Sequence, residues 1–258
     1  MKDIKDGAER RRERIVEMIR ESGRVRVSEL KDIFGISEVS VRHDLELLEA
    51  EGHLTRVHGG AVGQDKMYVN MDVGERYRTN AAAKRAVAEA AARYIEDNDT
   101  VMMNAGTTVT YVLRAIRGKK NISIVTNSVQ NATEAALYPD FNVILLGGEL
   151  DAKYQFTYGH DAERQIESYH AAKCILSVDG VSAAAGLTLY YSNEASLVRR
   201  MMDSSSRTIV VADGTKVGKS AFARIGGAEL ADLLITSRCE RREEIAALRL
   251  LGVEVDEA

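Results

Sequence analysis

The sequence predicts an α/β protein in two unequal parts: a small amino-terminal unit of short helices and a hairpin, and a larger unit built on a mostly parallel sheet. Three observations carry that expectation. Beyond residue 78, unbroken apolar runs alternate with helical patterns; before residue 62, two short helical patterns meet at a tight connection; and over 63–77 the periodicity weakens while Gly63, Asn70, Asp72 and Gly74 accumulate. The expected organisation is therefore 1–62, a linker over 63–77, and 78–258.

Residues 2–26 carry nine basic against six acidic side chains, a first helix whose Arg10, Arg11, Arg12 and Arg14 suit either solvent or phosphate. A helix over 27–34 follows, and Gly35 with Ile36 makes the tight turn. Ser37 is placed to cap the next helix, whose Val41, Leu45 and Leu48 share one face and leave Ser40, Arg42 and His43 on the other. Gly52 ends that helix, and 53–61 alternates polar and apolar residues, Arg56 and His58 among them, up to Gly59-Gly60, as a small β-wing does. Helix, turn, helix and wing suit the grooves of duplex DNA, with Ser37, Ser40, Arg42, His43, Arg56 and His58 as the expected contacts. The stretch SEVSVRHDLELLEAEGHLTRVHGGA resembles the amino-terminal signature of the DeoR family of bacterial transcription regulators. Ser40 stands where the family usually has Thr, and His43 where it has a second Arg.

In the larger part, 80–96 reads as a helix capped by Asn80, with Ala86, Ala90 and Ile95 among its buried positions. Strands are expected over 100–103, 122–126, 142–146, 174–178, 208–212 and 233–236. Helices are expected over 108–116, 129–137, 193–202 and 240–250. Apolar runs of that kind belong to strands covered on both faces, and ligands of such sheets lie beyond the carboxyl ends of the strands. The residues there form a polar set: Asn104 to Thr108, where Gly106 permits close approach and Thr107 and Thr108 open a helix; Thr126-Asn127-Ser128; Gly147-Gly148; Asp179-Gly180; and Asp213 to Lys216. Taken singly, each also serves as a helix cap or turn.

These positions resemble the effector domain of the same family, whose fold resembles ribose-5-phosphate isomerase and which typically senses phosphorylated sugars. The resemblance implies that Gly106, Thr107 and Thr108 form a phosphate loop, that Asp179 and Glu194 meet sugar hydroxyls, that Lys216 faces the anion, and that Asn104, Thr126, Asn127 and Gly148 line the pocket. Asn104 and Ser237 stand where the family commonly has Asp.

Two other functions fit part of the sequence. An isomerase needs a carboxylate base and an electrophile; Glu194 is present, but the isomerase pattern Asp-Gly-Ala-Asp-Glu reads here Asp179-Gly180-Val181-Ser182-Ala183, and no Lys precedes Gly186 in the next loop. A nucleotide-binding loop is suggested by Gly214 to Ser220, yet three residues, not four, separate Gly214 from the Gly218-Lys219 pair.

Composition bounds the rest. The net charge is −4, so DNA binding requires a local basic patch. No apolar run approaches the about 20 residues that span a bilayer, and a cytoplasmic chain is expected. Cys174 and Cys239 show neither a CxxC pair nor metal-ligand spacing with His, so no metal or cofactor is expected and no catalytic residue is assigned. The expectation is a homo-oligomeric repressor with a DNA operator and a phosphorylated sugar or related metabolite as partners.

Overall fold

A computed structural model describes residues 2–22, 24–50, 53–57, 59–63 and 71–258, which fall into two compact units, Met1–Met71 and Asp72–Ala258. In the first, α1 (Lys2–Ser22), β1 (Arg24–Arg26), α2 (Val27–Phe34), α3 (Glu38–Ala50), β2 (Leu54–Val57) and β3 (Gly60–Gly63) follow in order. Gly35, at φ 63°, stops α2 by donating its amide to the Lys31 carbonyl, and Ser37 opens α3 by accepting the Ser40 amide on its hydroxyl at 3.1 Å. Val41, Leu45 and Leu48 of α3 close on Ile15, Leu30, Leu54 and Ala61 in a small apolar core. The wing is larger than expected, because β1 adds to β3 and makes a three-stranded antiparallel sheet in the order β1-β3-β2.

The second unit begins earlier than its sequence indicates. Gly63 belongs to β3, and 73–77, read as linker, lies in helix α4 (Val73–Arg78), started by a reciprocal cap: the Glu75 amide donates to Asp72 and the Asp72 amide donates to Glu75. Asn80 does not cap α5 (Ala81–Ala92) with its side chain; it sits at φ 54° and donates to Asp213 instead. Then come β4 (Thr100–Met103), α6 (Thr107–Ala115), β5 (Ile122–Thr126), α7 (Val129–Ala135), β6 (Phe141–Leu145), β7 (Glu149–Asp151), β8 (Phe156–Tyr158), α8 (His160–Ile166) and β9 (Lys173–Ser177). The chain ends with β10 (Gly180–Ser182), β11 (Gly186–Leu189), α9 (Ser192–Asp203), β12 (Thr208–Ala212), β13 (Ala223–Gly226), β14 (Leu233–Thr236), α10 (Arg242–Leu250) and β15 (Glu254–Glu257).

Seven strands form one wholly parallel sheet in the order β15-β14-β12-β9-β4-β5-β6. Alternate residues of each strand serve opposite faces: Val101, Met103, Ile175, Ile209 and Val211 meet α5 and α6, while Met102, Cys174, Leu176 and Val210 meet α8, α9 and α10. That two-sided burial is why the strands read as unbroken apolar runs. The six expected strands are present, joined at the edge by β15; a second sheet, β10-β11-β13, and the hairpin β7-β8 are additions made of three- and four-residue strands. Lys216 ends a short 3-10 turn, Gly214–Lys216, and the next element is β13, so no phosphate-loop helix follows it. Among the described residues no helix is long and apolar enough to cross a membrane.

Leu45 is fully buried at the centre of the small core, so Leu45→Ala should cost about 2–5 kcal/mol of stability. Denaturant unfolding followed by circular dichroism checks this; a loss under about 1 kcal/mol would mean that α3 is not held by this core.

Candidate functional site

In the larger unit the chain runs β4, β5, β6 to one side and β9, β12, β14, β15 to the other, so the strand order reverses between β4 and β9. A crevice opens at the carboxyl ends of two strands that diverge in this way. Asn104, following β4, spans it: its side-chain amide donates to the Ser177 carbonyl at 3.1 Å and its carbonyl oxygen accepts the Ser177 amide at 2.9 Å. Gly106 then passes so close that a Cβ there would lie 1.8 Å from the Ser177 hydroxyl. Only glycine lets α6 begin at this point, and it brings Thr107 and Thr108, both buried, into its first turn.

Around this turn lies a cluster of charged side chains with little access to water. Glu194, 3% exposed on α9, accepts from the Asn127 amide at 3.3 Å. Burial, with repulsion from Asp179, pushes its carboxyl up to about 8, so at neutral pH it carries a proton and can donate. Lys216, 8% exposed, has its ammonium 3.9 Å from Asp179, whose other oxygen accepts the Tyr190 amide. Burial holds the Lys216 ammonium below the usual lysine range, against the pull of Asp179 and Asp213. Lys84, only 1% exposed, donates to the Arg76 carbonyl; burial lowers it to about 8, and the neighbouring Lys216 and Arg76 charges add to that. The Arg76 guanidinium donates to the Tyr191 hydroxyl at 3.1 Å and stands 4.7 Å over the Tyr154 ring. Lys216 thus feels both Asp179 and Asp213, and Lys84 feels Asp213, with Arg76 close to both lysines and Glu194 neutral.

Asn127, Asp179, Glu194 and Lys216 lie together, Asn127 bonding Glu194, Asp179 acting on Glu194, and Lys216 beside Asp179. Three of the expected lining residues have other duties. Asn104 spends both side-chain polar atoms on Ser177; the Thr126 hydroxyl accepts the Ser128 amide; and Gly148, at φ 131°, fits against the Tyr158 carbonyl, 2.4 Å from where a Cβ would stand. Ser237, at a position where the family commonly has Asp, accepts the Gly214 amide and so holds the loop that carries Lys216. Sequence reasoning missed Arg76, placed in the linker, and Lys84, hidden among alanines. The signal for Lys84 was present, since it falls on the same helical face as Val87, Ala88 and Ala91, where a lysine has no reason to be solvated. Both cysteines are buried and free, and no group of three or more metal-ligating side chains occurs among the described residues.

In the smaller unit, Ser40, Arg42 and His43 are exposed on α3, Arg42 within 3.5 Å of Glu38 and His43 within 3.9 Å of Glu46. Ser37 is engaged in the cap. Arg56 on β2 pairs with Glu46 at 2.5 Å and donates its main-chain amide to Glu49, which ties the wing to α3. Arg11 is drawn inward, its guanidinium 2.7 Å from the buried Asp44, and Arg14 pairs with Glu17. His58 lies outside the described residues.

Residues 11–66 match the DeoR-like helix-turn-helix domain and residues 79–238 match the DeoR C terminal sensor domain. The HTH-type transcriptional repressor CsqR of Escherichia coli is 32% identical over 88% of this chain and 86% of that protein. The HTH-type transcriptional regulator GlpR of Haloferax volcanii is 33% identical over 96% of this chain and 97% of that one. Among solved structures, ribose 5 phosphate isomerase A from Neisseria gonorrhoeae is similar over 55% of this chain and 54% of that one, with a TM-score of 0.40 and 21% identity, and no residue role follows from it. The chain belongs to the DeoR family of DNA-binding transcription regulators.

Proposed function

We propose that the larger unit binds a phosphorylated sugar at the carboxyl ends of β4 and β9, and that this ligand controls a repressor acting through the smaller unit. The observation that carries the reading is the burial of Lys84 and Lys216, with the half-buried Arg76 whose carbonyl Lys84 bonds, at the carboxyl edge of the sheet. Burial disfavours the charged form of both lysines, and a phosphate dianion would stabilise that form through charge-assisted hydrogen bonds. The free amides at the start of α6 and the hydroxyls of Thr107 and Thr108 add donors for the same anion. Asn127, Asp179 and protonated Glu194 supply acceptors and donors for sugar hydroxyls. Repression is the role that CsqR is named for.

The site is read as a sensor without turnover. Moving a proton on a sugar needs an ionised carboxylate, and Glu194 is protonated at neutral pH while Asp179 is committed to Tyr190 and Lys216. Where an isomerase pattern has further acids, Ser182 accepts the Ala185 amide and Ala183 bonds Glu244, a turn with no acid of its own. Arg42, His43 and Ser40 are the proposed operator contacts. One winged helix reads few base pairs, so a cytoplasmic homo-oligomer presenting paired heads is proposed.

Lys216→Met should bind the effector found in a panel of pentose and hexose phosphates about ten- to a hundredfold more weakly by calorimetry, in line with the loss of a charged hydrogen bond, and keep its ligand-free operator affinity. Affinity within twofold of wild type would remove Lys216 from the site. A second expectation concerns pH. The Glu194 carboxyl is raised above its unfolded value of 4.5, so its contribution is intact below about 4.5 and is lost as pH rises towards about 8. Glu194→Gln should therefore melt like wild type near pH 5 and increasingly above it by pH 8; a difference that does not change with pH would contradict a protonated Glu194.

A further inference from the structure

Val39 is the most exposed large apolar side chain of α3, at 76%, and it takes no part in the core of the smaller unit. Its position is not incidental. Val41, Asp44, Leu45 and Leu48 face the interior, so the ridge directly opposite runs through Val39, His43, Glu46 and Ala50, at spacings of four, three and four. Ser40 and Arg42 stand on either flank of that ridge. The ridge is held in place from both sides, by the Ser37 cap at its start and by the pairing of Glu46 with Arg56 of the wing. Val39 stands in the first turn, the part of a recognition helix that comes nearest to base edges.

We infer that Val39 reads the 5-methyl group of a thymine in each operator half-site. In the major groove the thymine methyl is the apolar feature of the base edges, whereas guanine, adenine and cytosine present acceptors or donors. A branched alkyl side chain pressed against those polar edges would leave them without partners, and pressed against the methyl it removes two apolar surfaces from water. The flanking Arg42 and Ser40 suit phosphates or polar edges, so the ridge and its flanks divide the work between specificity and affinity. The inference rests on the family's DNA-binding function and on α3 as the helix that enters the groove.

The test uses duplexes enriched by the full-length protein from a randomised library, with each thymine replaced singly by deoxyuridine, which removes the methyl and leaves the pairing unchanged. At one thymine per half-site, the replacement should weaken wild type about fourfold, the value of one buried methyl. Val39→Ala should bind the thymine duplex about as weakly as wild type binds that uridine duplex, and should be indifferent to the replacement. Its side chain is exposed and alanine favours helix, so the variant folds, which circular dichroism verifies. Arg42→Ala should weaken binding to thymine and uridine duplexes by the same factor, separating general DNA contact from methyl reading. If every uridine replacement affects wild type and Val39→Ala equally, or if no thymine in the enriched duplexes shows methyl dependence, the role of Val39 is overturned while the DNA-binding function stands.

Discussion

Burying both faces of the seven-stranded parallel sheet leaves polar chemistry only the strand ends, and the rest of the larger unit is arranged around that constraint. Helices on either side seal the faces, so every charged residue of the site reaches it from a loop or from the first turns of a helix at the carboxyl edge. The reversal of strand order between β4 and β9 selects which part of that edge opens. Asn104 and Ser177 join the two strands across the opening, and Gly106 allows α6 to start against Ser177. Charges then gather where water is scarce. Glu194 answers by keeping its proton, and Lys84 and Lys216 by holding theirs less tightly. The proposed anion site, without base catalysis, rests on that cluster.

The smaller unit solves a different problem with the same economy of residues. A helix that must bury one face and present the other needs a rigid setting, and α3 is fixed by its Ser37 cap, by its apolar stripe, by Arg11 on the buried Asp44, and by Arg56 on Glu46. Two arginines that the sequence offers as DNA contacts are thereby engaged in holding α3, while Val39, Ser40, Arg42 and His43 remain exposed on it. A chain of net charge −4 that binds DNA depends on where its cations stand and not on their number.

The central strands were legible because two-sided burial writes unbroken apolar runs, and the helix, turn and helix were legible because Gly35 and Ser37 perform the tasks their chemistry suggests. Short elements were not. The strands β10, β11 and β13 are three or four residues long, too short for any period to register, and exist because they pair with one another. Arg76 was lost to the linker because Asp72 and Gly74 look like breakers, although Asp72 is the cap of α4. Asn80 is a good cap residue by composition, yet its left-handed backbone and its bond to Asp213 take its side chain elsewhere. In the site, the family resemblance picked out Lys216, Asp179 and Glu194, while the bonds and close contacts of Asn104, Thr126 and Gly148 follow only from the fold.

The buried lysines near the ends of β4 and β9 are proposed to meet a phosphate carried by a sugar, and it is this role that gives the larger unit its function. It is tested most directly by thermal unfolding of the full-length protein with a panel of sugar phosphates, each beside its unphosphorylated sugar. A true effector at one hundred times its dissociation constant should add about 2.7 kcal/mol of stability, and its unphosphorylated counterpart should add almost none. Equal stabilisation by both forms, or none by any member of the panel, would contradict the account.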